Sequence, residues 1–452
     1  MSQQMNLWGG ANRDIARPFH GRSSFSDKLR RCGNTSAGFP AQRSRLGRRR
    51  RGIMTISMLE GAKAVPGFRF SGVHCGLKGE GQLDLGLIVA EKSNLLAARF
   101  TQNQVVAAPV QLSRAHGAGE RCRAVVVNSG NANACTGPAG MAAAEATAQQ
   151  VASQLSCPAY EVQVASTGVI GRPLDAEALL AGVPAAFSQL DDSNEGLMAF
   201  AQAIMTTDQG PKIQSATVGS YTVTVVGKGA GMIAPNLATM LAFAITDAPL
   251  PKLLLADLWD RVVRKSFNAI VVDGDTSTND TALLLCPDGG ETLSENTLAE
   301  LQRALLACCR SVAQQMVADG EGARCLVEIQ VSGAATKDQA DDAARAVATS
   351  LLCKTAFHGA DPNWGRILAA AGRSRAQFDP DKARLHLTAE GESILLFEAG
   401  MPVAADWAHC SALMEKRRYG FVLDLNNGDK GRRLWTCDLG HNYVTLNSEY
   451  TT

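Results

Sequence analysis

The run Cys122-Arg123-Ala124-Val125-Val126-Val127 is short, apolar and rich in β-branched residues, and it empties into the loop Asn128-Ser129-Gly130-Asn131-Ala132-Asn133. An Ala-rich amphipathic stretch follows from about Gly140 to Leu155. The unit then recurs: a strand over Val162–Ala165, a turn at Ser166-Thr167-Gly168, and a helix from about Asp175 to Gln189. A chain that alternates 2-residue and 3.6-residue periods in this way must lay helices on a sheet, so the fold class is a layered α/β or α+β core. Before these units, Gly67 to about Leu112 alternates polar and apolar residues and predicts strands and turns. Further strands are expected at Tyr221–Val226, Met240–Ile245, Asp280–Cys286 and Leu326–Val331. A long helix is expected over Leu293–Ala318, with Thr292 and Glu295 as a capping box and Gly320 as its stop.

The charge is unevenly placed. The 452 residues carry 44 Lys+Arg and 43 Asp+Glu, but residues 1–52 hold 12 of the bases and 2 of the acids, which sets a +10 leader on a −9 body. The leader is rich in Arg and Ser and has no apolar core, the composition of an organellar transit peptide rather than a secretory signal. Basic-tail functions for Arg48–Arg51, and a true start at Met54 or Met58, are the other readings. The 12 Cys are scattered without a C-x-x-C, and the 7 His without an H-x-x-x-H, so the expectation is reduced thiols and no metal site. No apolar run reaches the roughly 18 residues of a membrane span. The near-neutral balance argues against a general nucleic-acid binder.

The segment from Gly227 to Leu241, Gly-Lys-Gly-Ala-Gly-Met-Ile-Ala-Pro-Asn-Leu-Ala-Thr-Met-Leu, admits three readings. As a dinucleotide loop it fails, because the third glycine is missing at the required spacing and Pro235 and Asn236 break the helix that should receive the phosphates. It can be a plain glycine-rich turn. It can also be a site of self-processing: Thr239 opens an apolar β-run, and a hydroxyl there gains its own base if the preceding peptide bond is cut. The freed α-amine, with an ordinary pKa of about 7.7–8.0, then lies beside the nucleophilic oxygen.

That stretch resembles the self-cleavage motif of the ornithine acetyltransferase family, the bifunctional glutamate N-acetyltransferases of arginine biosynthesis. The similarity extends through Phe100-Thr101-Gln102-Asn103, Ala107-Ala108-Pro109-Val110, Asn128–Gly137, Ser166–Gly171, Met205-Thr206-Thr207-Asp208, Val272–Asp280, Ala318–Ala323, His358–Arg366 and Tyr443–Thr452. It covers essentially everything after the leader, in the family's order.

The resemblance implies an αββα-like layered Thr-nucleophile fold, similar to N-terminal-nucleophile hydrolases but differently connected. It implies cleavage between Ala238 and Thr239, giving an α chain over 53–238 and a β chain over 239–452 that assemble as a heterotetramer. Thr239 is then the nucleophile that carries acetyl from N-acetylornithine to glutamate, with acetyl-CoA as the donor for a second, synthase activity and no permanently bound cofactor. Thr167 and Gly168 match the oxyanion hole. Thr206, Lys228, Glu321, Asn447 and the terminal Thr452 match substrate contacts. Leu237, Ser448 and Glu449 depart slightly from the family pattern without removing a functional group, and His358 with Asp361–Arg366 is expected to be structural. The favoured compartment is the chloroplast stroma, with the mitochondrial matrix as the alternative. A related amidohydrolase or aminopeptidase, and a non-catalytic binding protein, are the competing functions.

Overall fold

The strand Leu85–Phe100 is 16 residues long and changes partners midway. Its first half pairs with Phe68–Val73 and Arg121–Asn131, and its second half with Thr281–Pro287. The register against Arg121–Asn131 slips between Val89 and Asn94, where the strand hands over from one set of neighbours to the other. A computed structural model describes residues 56–234 and 240–449. Among these, nine strands form the larger sheet. Ile56–Met58, Lys212–Val218, Tyr221–Lys228, Leu241–Thr246 and Thr281–Pro287 lie on one side of the long strand, and Arg121–Asn131 and Val162–Val169 on the other.

Alternation along the strands shows how this sheet is layered. Leu241, Phe243, Ile245, Leu283 and Leu285 share one apolar cluster with Ile88, Ala90, Val125 and Val127, so the two halves of the sheet face each other. Helix Asn194–Ala203 enters the same cluster, where Phe200 meets Phe243 edge to face at 5.6 Å. The outward residues of one half, Leu87, Val89, Val126 and Val164, pack under helices Gly137–Leu155 and Ala176–Ser188. Those of the other half, Ala242, Ala244, Ala282 and Leu284, pack under helices Lys252–Arg264 and Glu295–Ala318. The order is helices, strands, strands, helices: the αββα layering that the family resemblance implied.

A second, seven-stranded sheet runs Met401–Pro402, Glu392–Glu398, Arg384–Ala389, Arg418–Asp424, Leu326–Ala334, Lys430–Cys437, Ile270–Val271. Ile270–Val271 is its edge, and the next strand in the chain, Thr281–Pro287, lies inside the first sheet. Residues 272–280 therefore cross from one sheet to the other.

Three local expectations are corrected. The strand-and-turn region read through Leu112 ends earlier, because Ala108–Gly117 is a helix. Pro109 sits in its first turn, where a missing N–H is harmless, and Val110 and Leu112 are buried. The long helix starts at Glu295 and is capped by Ser294, whose hydroxyl accepts from Thr297 N at 3.1 Å, rather than by Thr292. It ends at Ala318 with Asp319 as its cap, not on a left-handed Gly320. The leader and its proposed address lie outside the described residues.

Candidate active site

Strand ends from both β-layers converge on one cavity. Thr167, Gly168, Thr206, Lys228, Glu321 and Asn447 all line it. They lie up to 280 positions apart in the chain, and the fold brings all six together. Ala238, Thr239 and Thr452 lie outside the described residues.

Lys228 ends the strand Tyr221–Lys228 and is 3% exposed. Its Nζ donates to Thr167 Oγ1 at 3.0 Å and to Thr206 Oγ1 at 2.8 Å. Since the ammonium supplies the donor, the Thr167 hydroxyl proton remains available to donate into the cavity. Gly168 beside it adopts φ +131°, and an added Cβ would collide with the Gly130 peptide. Glycine is required there by both conformation and space.

Lys228 is buried but not unbalanced. Burial pushes its pKa down, the Asp208 carboxylate pushes it back up, and the Lys212 ammonium adds to the fall. Asp208 Oδ1 accepts from Lys212 Nζ at 2.5 Å and from Gly229 N at 2.7 Å, and its Oδ2 accepts from Thr206 N at 3.0 Å. Burial would raise Asp208, but the two lysines and these hydrogen bonds outweigh it and hold the carboxyl at about 2. Lys212 Nζ also pairs with Asp319 Oδ2 at 2.5 Å.

Across the cavity, Glu321 N donates to the Ala230 carbonyl at 2.9 Å, and the Glu321 carboxylate lies against Gly231, where an added Cβ would overlap it. Asn447 Nδ2 donates to Glu321 Oε2 at 2.8 Å from the helix His441–Glu449. Among the described residues the cavity thus presents one cation, Lys228, and the carboxylates Glu321, Asp273 and Asp275. That arrangement suits a small zwitterion carrying both a carboxylate and an ammonium.

Several contributors were not singled out from sequence. Asp273 accepts from Met232 N at 2.5 Å and Ile233 N at 2.9 Å, and burial raises its pKa. Asn279 Nδ2 donates to the Ala132 and Ser166 carbonyls at 2.6 and 2.9 Å, pinning two loops of the opposite layer. Tyr443 lines the cavity from the last helix. Lys78, held by the Leu83 and Met205 carbonyls, is lowered to about 8 by burial, with Asp84 opposing and Lys228 assisting. The Met205–Asp208 block had been noticed, but only Thr206 was given a role. A carboxylate four residues before Lys212 was the available clue. His358 stays away from the cavity, paired through Nδ1 with Asp438 Oδ2 at 2.8 Å, and Asn363 caps helix Trp364–Gly372. Both roles are structural, as expected.

A layered α/β protein with a polar pocket at converging strand ends, built for a small zwitterion, is an amino-acid-handling enzyme in class. Comparison with known proteins narrows this. Residues 69–452 match the model of the ArgJ family. The chain is 44% identical over 398 residues to the arginine biosynthesis bifunctional protein ArgJ of Geobacter sulfurreducens, spanning 86% of this chain and 100% of that protein. It is 40% identical over 382 residues to the glutamate N-acetyltransferase of Methanothermobacter thermautotrophicus, spanning 82% of this chain and 94% of that protein. Among solved structures, ornithine acetyltransferase of Mycobacterium tuberculosis, complexed with ornithine, matches 40% of this chain and 98% of that chain at 45% identity, with a TM-score of 0.39. The chain belongs to the ArgJ family.

Proposed function

We infer that the protein is a bifunctional acetyltransferase of arginine biosynthesis, and that Thr239 carries the acetyl group between donor and acceptor. Family membership supports the activity. The observation that carries the site assignment is the convergence of Thr167, Gly168, Thr206, Lys228, Glu321 and Asn447 on one cavity, on the strand that ends at Lys228 and four other elements or loops.

The proposed cycle begins with self-cleavage. Thr239 Oγ attacks the Ala238 carbonyl carbon, the 238–239 C–N bond breaks as its nitrogen takes up a proton, and an ester forms. One water hydrolyses that ester to an Ala238 carboxylate and a Thr239 bearing a free hydroxyl and α-amine. The amine then serves as base for the hydroxyl. N-acetylornithine acylates Thr239 and leaves as ornithine, and glutamate takes the acetyl group to become N-acetylglutamate. Acetyl-CoA replaces N-acetylornithine in the synthase reaction. Thr167 and Gly168 stabilise each tetrahedral oxyanion, Lys228 orients Thr167 and Thr206, and Glu321 with Asn447 receives the substrate's ammonium. Thr452 is proposed as a further contact. We assign 53–238 and 239–452 as α and β chains of a heterotetramer, and residues 1–52 as a transit peptide directing the protein to the chloroplast stroma or, alternatively, the mitochondrial matrix.

Intact mass of purified protein beside Thr239→Ala tests the reading. Two fragments, the second starting at Thr239, are expected from wild type, with acetyl transfer from N-acetylornithine to glutamate well above hydrolysis. The variant should be unsplit and inactive. A wild type that is active as one chain excludes the mechanism.

A further inference from the structure

Positive charge is concentrated in a second cavity, at the far end of the seven-stranded sheet. Six cations line it: Arg264 and Lys265 where helix Lys252–Arg264 ends, Lys337 and Arg345 on helix Lys337–Ala348, and Lys430 and Arg432 where strand Lys430–Cys437 begins. Against them stand the carboxylates Asp338, Asp341 and Asp429, so three positive charges are in excess among the described lining residues. The catalytic cavity is elsewhere and shares no lining residue with this one. The strand Lys430–Cys437 spans roughly 23 Å. Its opposite end, where Thr436 pairs with Val271, is the end that leads into Asp273 of the catalytic cavity.

Two of the guanidiniums share a single carboxylate. The Arg432 side chain is 14% exposed, and its Nε lies 2.7 Å from Asp341 Oδ1. Its Nη1 and Nη2 donate to the Arg264 and Asn268 carbonyls at 3.0 and 2.6 Å. Arg345 Nε pairs with the other oxygen, Asp341 Oδ2. Arg345 Nη1 is buried and has no hydrogen-bond partner among the described residues, so one arm of its fork lacks an acceptor. Asp429 is occupied by Lys430 at 2.9 Å, and Lys265 and Lys337, both exposed, form no ion pair among the described residues. Burial lowers the Arg432 pKa, Asp341 opposes the fall, and the charges of Arg345 and Arg264 add to it. Like charges gathered this closely repel one another, and an anion between them relieves the repulsion.

We propose that this cavity is a second ligand site, built for a small molecule that carries a diphosphate group. Guanidinium and ammonium groups are the side chains best matched to phosphate oxygens. Each phosphate group brings between about one and two negative charges at neutral pH, so a linked pair balances the excess of three. A single carboxylate would leave most of that excess in place. Arg345 is held by Asp341 on one side and offers Nη1 on the other, while Lys265 and Lys337 add long, adaptable charges from the ends of two helices. Lys337 stands in the first turn of its helix, whose positive end adds to the same field. The site stands apart from acetyl transfer and does not depend on that reading.

Isothermal titration of the purified protein with inorganic pyrophosphate, at about 50 mM salt to limit screening, tests the site. One site with a Kd below about 1 mM is expected. Lys265→Gln combined with Lys337→Gln removes two exposed charges and should raise that Kd at least about tenfold, with acetyl transfer within about twofold of wild type. Lys382→Gln combined with Lys416→Gln removes the same charge outside the cavity and should leave the Kd within about twofold. Absence of binding up to about 10 mM overturns the proposal, as does equal weakening by the two double variants. Pyrophosphate that competes with N-acetylornithine occupies the catalytic cavity, which also overturns it. Citrate binding more tightly than pyrophosphate overturns the phosphate assignment. ADP binding more tightly than pyrophosphate upholds the site and identifies the diphosphate as part of a nucleotide; the reverse order upholds it for a free diphosphate.

Discussion

Lys228 and Thr167 stand in opposite β-layers, and the 3.0 Å bond between them ties the layers together at the rim of the cavity. Lys228 is also 2.8 Å from Thr206, so one ammonium sets two hydroxyls. Replacing it with an isosteric apolar chain should leave Thr167 free to rotate and Asp208 with one cation fewer. Lys228→Met is expected to lower kcat/KM by about 10²–10³, measured as acetyl transfer from N-acetylornithine to glutamate.

The Thr167 hydroxyl itself is separable from that scaffold. Thr167→Val keeps shape and removes one donor, so kcat should fall by about 10²–10³. KM should move little, because the oxyanion exists only after attack. Equal loss in KM and none in kcat would place Thr167 in ground-state binding instead.

Glu321 offers two independent handles. Glu321→Gln removes the charge proposed to receive the substrate ammonium, and Gly231→Ala pushes the intact carboxylate out of place, since the new Cβ overlaps it. Both are expected to raise KM for N-acetylornithine by about tenfold or more, the worth of one charge-assisted contact. Steady-state kinetics at varied N-acetylornithine checks this.

Acid should weaken the fold through Asp208. Its carboxyl is depressed from an ordinary value of 3.8 to about 2, so the ionised form is favoured in the folded protein. The stabilisation is present above pH 4 and is lost as pH falls from about 4 towards 2, and it amounts to about 2 kcal/mol. Urea unfolding at pH 6, 4 and 2.5 should show that loss in wild type. Asp208→Asn should be less stable at pH 6 and flatter across the same window.

The last described helix, His441–Glu449, places Tyr443 and Asn447 at the cavity and ends three residues before Thr452. A tag appended after Thr452 should reduce acetyl transfer by about tenfold or more. A tag replacing residues 1–52 should leave it within about twofold.

Much of this arrangement was legible in the chain, and the exceptions have physical causes. A layered α/β or α+β core follows from strand alternation interleaved with amphipathic helices, a local signal, whereas the αββα order was implied only by the family motifs. Thr167, Gly168, Thr206, Lys228, Glu321 and Asn447 were reached through family motifs, because each alone is an ordinary turn, strand or helix residue. The Asp208–Lys212–Asp319 network joins positions 107 apart, and no local pattern reports such a contact. The helix Ala108–Gly117 was obscured because alternation in the preceding strand ran on into Pro109.

The strands Tyr221–Lys228 and Leu241–Thr246 pair antiparallel with Lys228 opposite Leu241, so residues 229–240 link two neighbours in one ladder. Severing that link after Ala238 would turn neighbours on one chain into partners on two. The larger sheet would then be shared between them, with Thr281–Pro287 held between the strand Leu241–Thr246 and the long Leu85–Phe100 strand. Unfolding would release two separate molecules, and refolding would become a concentration-dependent encounter rather than a loop closure. A processed enzyme of this design persists by unfolding slowly, not by refolding readily.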